Sequence, residues 1–279
     1  MLHHGDVSVE VSHVSKKYCK SLKKSMIYGL TDIVRNTAGI SANSHRLRQE
    51  EFWAVDDLSF QVSQGEIFGI IGANGSGKST VLKLLNGIYW PDRGKITLRG
   101  EVRALIELAA GFHPLLNGRE NILLNAAILG LKRGDIEKNI ESIIEFAGIG
   151  EFLDRPAKYY SLGMWVRLGF SVALHTYPDI LLLDEVLAYA DLEFHRKCIK
   201  SLGEQRENGR SVVIVSHDLT MMRQLCDTVL WLDGSRMREI GQGRTVCDRY
   251  EKYVSNTMQG KNRISFPLEH IPGNELEST

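Results

Sequence analysis

Nine consecutive residues, Gly72-Ala73-Asn74-Gly75-Ser76-Gly77-Lys78-Ser79-Thr80, fit the pattern G-x-x-x-x-G-K-S/T and suit the binding of phosphate. Gly72, Gly75 and Gly77, with Asn74 between them, let successive backbone N–H groups turn toward one anion. The Lys78 ammonium can then reach β- and γ-phosphates, the Ser79 hydroxyl can take a place on Mg²⁺, and Thr80 lies beside them. Two other places carry reactive groups. Asp184-Glu185 follows the apolar run Ile180-Leu181-Leu182-Leu183, and His217 follows Ser211-Val212-Val213-Ile214-Val215-Ser216. Asp184 can hold a divalent cation, Glu185 can polarise an attacking water, and His217 can reach a terminal phosphate. Bland readings exist: a glycine turn, an acidic helix start and a structural histidine. The chemical reading is favoured because all three groups end apolar strands, and open α/β sheets bind ligands beyond the carboxyl ends of their strands.

The elements that must position these groups can be read from periodicity. Glu66–Ile71 is an apolar run of strand length, and Val81–Gly87 is apolar at helical spacing, closed by a C-cap glycine. Val7–Val14 alternates as a half-exposed strand, and Phe52–Val62 is a second strand. Between them, residues 19–51 form a long insert. Leu22, Met26, Leu30 and Ile33 there fall at helical spacing behind a cluster of lysines (Lys16, Lys17, Lys20, Lys23, Lys24), and Asn36–Asn43 reads as a loop. Such a helix either packs on its own domain or docks on a partner or membrane surface. Lys95–Leu98 and Glu101–Leu108 read as short strands. A helical block spans about residues 115–178, with helices expected over Glu120–Leu129, Gly134–Ala147 and Trp165–His175. The α/β pattern then returns through Asp191–Glu207, a strand at Ser211–Val215 and a helix reaching Cys226. A hairpin turning at Asp233-Gly234 and a last helix over Thr245–Ser255 follow. The expected class is therefore α/β, a mainly parallel core sheet with an antiparallel β edge and an inserted helical subdomain. Residues 1–255 form the domain, and 256–279 a polar tail.

Composition excludes several classes. Lysine plus arginine balance aspartate plus glutamate at 34 each, so no basic field calls for nucleic acid. Four scattered cysteines (Cys19, Cys198, Cys226, Cys247) suit a reducing compartment rather than a disulfide framework or zinc site. No apolar run approaches ~20 residues, and the first residues lack the order of a signal peptide. A soluble cytoplasmic protein is expected.

Over residues 7 to 250 the sequence resembles the ATP-binding cassette ATPases. Besides Gly72–Thr80, Asp184, Glu185 and His217, it has Tyr160-Ser161-Leu162-Gly163-Met164 where that family places its signature LSGGQ. The resemblance implies that Tyr18 stacks on adenine and that Asp191 is the D-loop aspartate at the dimer interface. It also implies that Ser161 and Gly163 contact ATP held by a second copy, and that Asp184 is the Walker B ligand of Mg²⁺. The Q-loop glutamine is absent, and Glu107 is the nearest polar substitute near the metal. Leu162 and Met164 depart from the signature. With the insert, Gly111-Phe112-His113-Pro114 and Gly118-Arg119-Glu120-Asn121-Ile122, these departures resemble the branch that exports O-antigen, capsule and teichoic acid. A homodimer under transmembrane permease subunits is implied, peripheral on the cytoplasmic face of the bacterial cytoplasmic membrane. The polysaccharide would be met mainly through the permease. Only about 25 residues follow the last helix, so the glycan-binding sandwich of some members is not expected. An importer or drug-exporter ATPase would favour LSGGQ and a Q-loop glutamine. A cassette acting on ribosomes or DNA would favour two cassettes, heptads or basic surface.

Overall fold

The computed structural model describes residues 6–37, 46–105, 111–185, 187 and 190–262. In chain order its elements begin with β1 (Val7–Cys19), α1 (Leu22–Thr37), β2 (Glu51–Ser63), β3 (Ile67–Gly72), α2 (Lys78–Leu85), β4 (Arg93–Leu98) and β5 (Val102–Leu105). Next come α3 (Gly118–Ile128), α4 (Arg133–Ala147), α5 (Leu162–Leu174), β6 (Ile180–Asp184), α6 (Leu192–Glu207) and β7 (Ser211–Val215). The chain continues through α7 (Leu219–Leu225), β8 (Thr228–Asp233), β9 (Arg236–Gln242) and α8 (Gly243–Asn262).

Two sheets result. One has six strands in the order β5-β6-β7-β3-β8-β9, parallel except for the β8–β9 hairpin. The other is antiparallel, in the order β2-β1-β4. The runs Ile67–Ile71 of β3, Ile180–Leu183 of β6 and Val212–Val215 of β7 carry no polar side chain because both their faces are covered. Alternate residues serve alternate faces. Ile67, Ile71, Leu183 and Ile214 pack toward α5, α6 and α7. Phe68, Ile70, Leu182 and Val213 pack toward α2 and the antiparallel sheet. A third core, built on Ile122, Ile143, Leu168 and Val172, holds α3, α4 and α5 together as the expected helical subdomain. Helix α5 belongs to both, since its Val166 and Phe170 join the first core. Among the described residues no helix is long and apolar enough to cross a membrane.

Several boundaries differ from the sequence reading. Strand β1 runs on to Cys19 because Lys17 and Tyr18 pair with Trp53 and Phe52 of β2. Its lysines are tolerated there by ion pairs, Lys16 to Asp92 at 3.3 Å and Lys17 to Glu51 at 3.1 Å. Helix α5 starts at Leu162 rather than Trp165, because Ser161 caps it. Helix α8 continues to Asn262, past the boundary expected at 255, over polar residues that carry no core pattern. Part of the expected loop Asn36–Asn43 is helical, through Thr37, and residues 38–45 lie outside the described ones.

Helix α1 inverts the usual arrangement of an amphipathic helix. Its polar stripe faces its own domain. Lys24 pairs with Glu50 at 2.5 Å, Asp32 pairs with Arg48, and the Tyr28 hydroxyl donates to the Gln49 carbonyl at 3.4 Å. The apolar stripe faces outward, with Leu22 78%, Met26 64%, Leu30 64% and Ile33 63% exposed. Packing on the home domain is therefore not what this stripe does. Replacing Met26 and Leu30 together with serine should change stability by under about 1 kcal/mol, as exposed substitutions do. A thermal melt checks this; a loss of the ~2–5 kcal/mol typical of core truncation would contradict the exposed placement.

Candidate active site

Strand β3 delivers Gly72 into the loop, and α2 begins at Lys78 behind Gly77, its left-handed N-cap at φ 103°. Two neighbouring strands close on this loop. A Cβ on Gly72 would lie 2.3 Å from the Leu232 carbonyl oxygen of β8, and one on Gly77 2.3 Å from that of Ala54 in β2. Both positions also have positive φ, so only glycine fits them without strain. Asn74 and Gly75 form the exposed tip, and Ser76 is buried beneath it. Among the described residues the Ser76 hydroxyl has no hydrogen-bond partner. Buried hydroxyls are rarely left so, and a phosphate oxygen would complete this one.

Lys78 is buried, and its ammonium donates to the carbonyls of Gly72 (2.9 Å) and Ala73 (3.1 Å). Burial holds its pKa below the ordinary lysine value, with Glu185 and Asp184 pulling the other way. The Ser79 hydroxyl donates to Asp184 Oδ1 at 3.5 Å, at the limit of a hydrogen bond. Burial raises the Asp184 carboxyl above its ordinary value near 3.8; the Ser79 bond lowers it, Glu185 raises it further, and Lys78 and Lys83 lower it. A poorly solvated carboxylate beside a serine hydroxyl suits Mg²⁺, which binds through one or two carboxylates plus phosphate oxygens and water.

Glu185 adopts a left-handed backbone (φ 52°), uncommon outside glycine, and its N–H donates to the Val215 carbonyl at 2.9 Å. Its Oε1 lies 2.9 Å from His217 Nε2. The next residue, Asp218, caps α7, its carboxylate accepting from the N–H groups of Thr220 (2.9 Å) and Met221 (3.0 Å). Lys78, Ser79, Asp184, Glu185 and His217 thus form one constellation at the ends of β3, β6 and β7.

The other expected residues stand around it. Tyr18 is half-buried, its ring edge-on to Tyr89 at 5.8 Å; burial raises its pKa, with the Thr80 side chain pulling the other way. Ser161 caps α5, accepting from the Met164 N–H at 3.3 Å, and Gly163 lies in the first turn behind it. Asp191 caps α6, accepting from the Phe194 N–H at 3.0 Å. Arg167 of α5 pairs with the other carboxylate oxygen of Asp191, through Nε at 3.1 Å and a second N–H. The capping bond and then Arg167 depress the Asp191 pKa. Arg167 is absent from the sequence reading, although it is the one charged residue in the thirteen of α5. Glu107 lies outside the described residues.

Residues 55–188 match the sequence profile of the family described as ABC transporter. Over 247 residues the chain is 41% identical to the O-antigen export system ATP-binding protein RfbB of Klebsiella pneumoniae, spanning 88% of this chain and 98% of that one. The chain belongs to the ABC transporter family. A second relative, the teichoic acids export ATP-binding protein TagH of Listeria innocua, is 39% identical over 95% of this chain and 76% of its own length. The fold likeness extends to solved cassettes: a dimeric post-hydrolysis ATP-binding cassette bound to ADP and Pi aligns with TM-score 0.67 and 20% identity, over 85% of this chain and 99% of that one. The structure is thus an ATP-binding cassette of the α/β class expected.

The raised Asp184 carboxyl ties the stability of the cassette to pH. A carboxyl with a raised folded-state pKa binds protons more tightly in the native state, so its contribution falls as pH rises through the window above 3.8. Asp184→Asn removes that charge. In metal-free buffer at neutral pH its melting temperature should exceed wild type by a few degrees, and the gap should close well below pH 3.8, where both states are protonated. A gap that does not vary with pH would contradict this account.

Proposed function

We propose that this chain is the ATP-hydrolysing subunit of an exporter of a bacterial polysaccharide of O-antigen, capsular or teichoic acid type. It works as a homodimer beneath transmembrane permease subunits, peripheral on the cytoplasmic face of the membrane. The observation that carries this reading is the 41% identity to an O-antigen export ATP-binding protein along nearly the full length of both chains. The constellation around Lys78 supports the chemistry. Backbone N–H groups of Gly72–Thr80 and the Lys78 ammonium cradle the β- and γ-phosphates of ATP. Ser79 and Asp184 are the residues that would hold Mg²⁺, whose charge offsets that of the phosphate oxygens. Glu185 orients and polarises the attacking water, while His217 fixes the Glu185 carboxylate and reaches the γ-phosphate. Ser161 and Gly163 of a second copy close on the same ATP, presenting a hydroxyl and the N-terminus of α5. Tyr18 stacks on the base, and Asp191 lies where the two copies meet.

Lys78→Ala should abolish tight ATP binding, because the phosphates lose their main counter-charge; unchanged affinity in titration calorimetry would remove the loop from the site. Glu185→Gln should still bind ATP while turnover falls about 10²–10⁴-fold. In cells the same substitution should leave glycan inside the cytoplasm and absent from the surface. Normal surface glycan would refute the export role, and wild-type hydrolysis by the purified variant would refute the role of Glu185.

A further inference from the structure

Helix α1 turns six large apolar side chains to solvent: Leu22, Met26, Ile27, Leu30, Ile33 and Val34 are each more than half exposed. Their spacing gathers them on one broad side of the helix. Apolar residues exposed singly need no explanation, but a contiguous patch marks a surface that meets something. The helix is also held in one orientation. The ion pairs Lys24–Glu50 and Asp32–Arg48 fix its opposite side to the domain, so the patch stays outward with no apolar packing of its own.

The charges beside the patch select its occupant. Of the five lysines clustered here, Lys16, Lys17 and Lys24 are engaged by Asp92, Glu51 and Glu50. Lys20 and Lys23 are exposed and form no ion pair among the described residues. The one acid of α1, Asp32, is turned inward to Arg48. The free charges described on residues 20–34 are therefore all positive. Lys23 also lies one turn before Ile27, on the apolar side itself. A protein groove closing over the patch would bury that ammonium without a counter-charge. A lipid surface would not, because the stem of a lysine extends to the headgroups while its apolar neighbours enter the acyl boundary. A second copy meeting the same face across a two-fold axis would bring like charges together.

We propose that the outer face of α1 binds directly to an anionic lipid surface. Leu22, Met26, Leu30 and Ile33 enter the boundary below the headgroups, and Lys20 and Lys23 lie among the lipid phosphates. The chain makes this contact by itself, so it is measurable on vesicles that contain no permease. The proposal therefore stands or falls separately from the export reading.

The purified full chain is sedimented with vesicles of neutral phosphatidylcholine and with vesicles in which about one-third of the lipid is phosphatidylglycerol. The ionic strength is held near ~0.1 M, where charges still act over about 10 Å. Wild type should bind the anionic vesicles roughly twentyfold more tightly than the neutral ones, about fivefold for each free lysine. Lys20→Gln with Lys23→Gln should bring binding down to the neutral-vesicle level, and Lys20→Arg with Lys23→Arg should retain it. Met26→Ser with Leu30→Ser should weaken it at least about tenfold while affinity for ATP stays the same. Equal binding to both kinds of vesicle, or unchanged binding by the serine variant, would overturn the proposal. So would no binding to either kind, which would leave the face to a protein partner. Self-association of wild type in analytical ultracentrifugation that the serine variant abolishes would overturn it as well, since a second copy then covers the patch.

Discussion

Everything at the site follows from one constraint: a buried ammonium must sit in a loop of backbone that side chains cannot enter. Lys78 is held by the carbonyls of Gly72 and Ala73, and burial disfavours its charge. A polyphosphate would supply a counter-charge there, so the loop is suited to an anion. The same loop is where the two sheets meet. Leu232 of the parallel sheet and Ala54 of the antiparallel sheet press on its glycines from different sides. The glycines are thus required by the packing of the sheets as well as by the ligand.

Around this centre the carboxylates divide the work by environment. Asp184 ends a buried strand and stays close to Ser79, where a divalent cation would relieve its desolvation. Glu185, one residue on, is turned by its left-handed backbone toward His217. Such a conformation is sustained only when the surroundings over-determine it, here by the Val215 carbonyl and the imidazole. Further out, α5 ties the helical subdomain to the nucleotide core. Its Val166 and Phe170 face one core, its Leu168 and Val172 the other. Arg167 between them grips Asp191 and donates to the Ala147 carbonyl at the end of α4. An ion pair this exposed adds little stability. Its consequence is geometric: Ser161 at one end of α5 and Asp191 at the start of α6 are held as one piece.

The insert obeys a different logic. A helix that lays Lys24, Tyr28 and Asp32 on its own domain and turns Met26, Leu30 and Ile33 outward is held by ion pairs rather than by apolar burial. Its inner face borders Tyr18, and its outer face is an apolar stripe. One helix therefore stands between Tyr18 and the molecular surface.

Much of this was legible without coordinates, for local reasons. The phosphate loop could be read because its glycines, lysine and serine act through spacing that a short segment sets by itself. Strands β3, β6 and β7 could be read because burial on both faces demands unbroken apolar runs. Asp184, Glu185 and His217 could be placed because they end those runs. What the sequence could not decide were pairings between distant segments. Strand β1 reaches Cys19 only because β2 and Asp92 accept its lysines. Asp191 is caught by Arg167, twenty-four residues earlier, and nothing in the chain between them signals it. Periodicity located a helix at Leu22–Ile33 but could not say which stripe turns inward. That choice depended on Arg48 and Glu50 lying within reach of its polar face, and such reach is decided by tertiary structure alone.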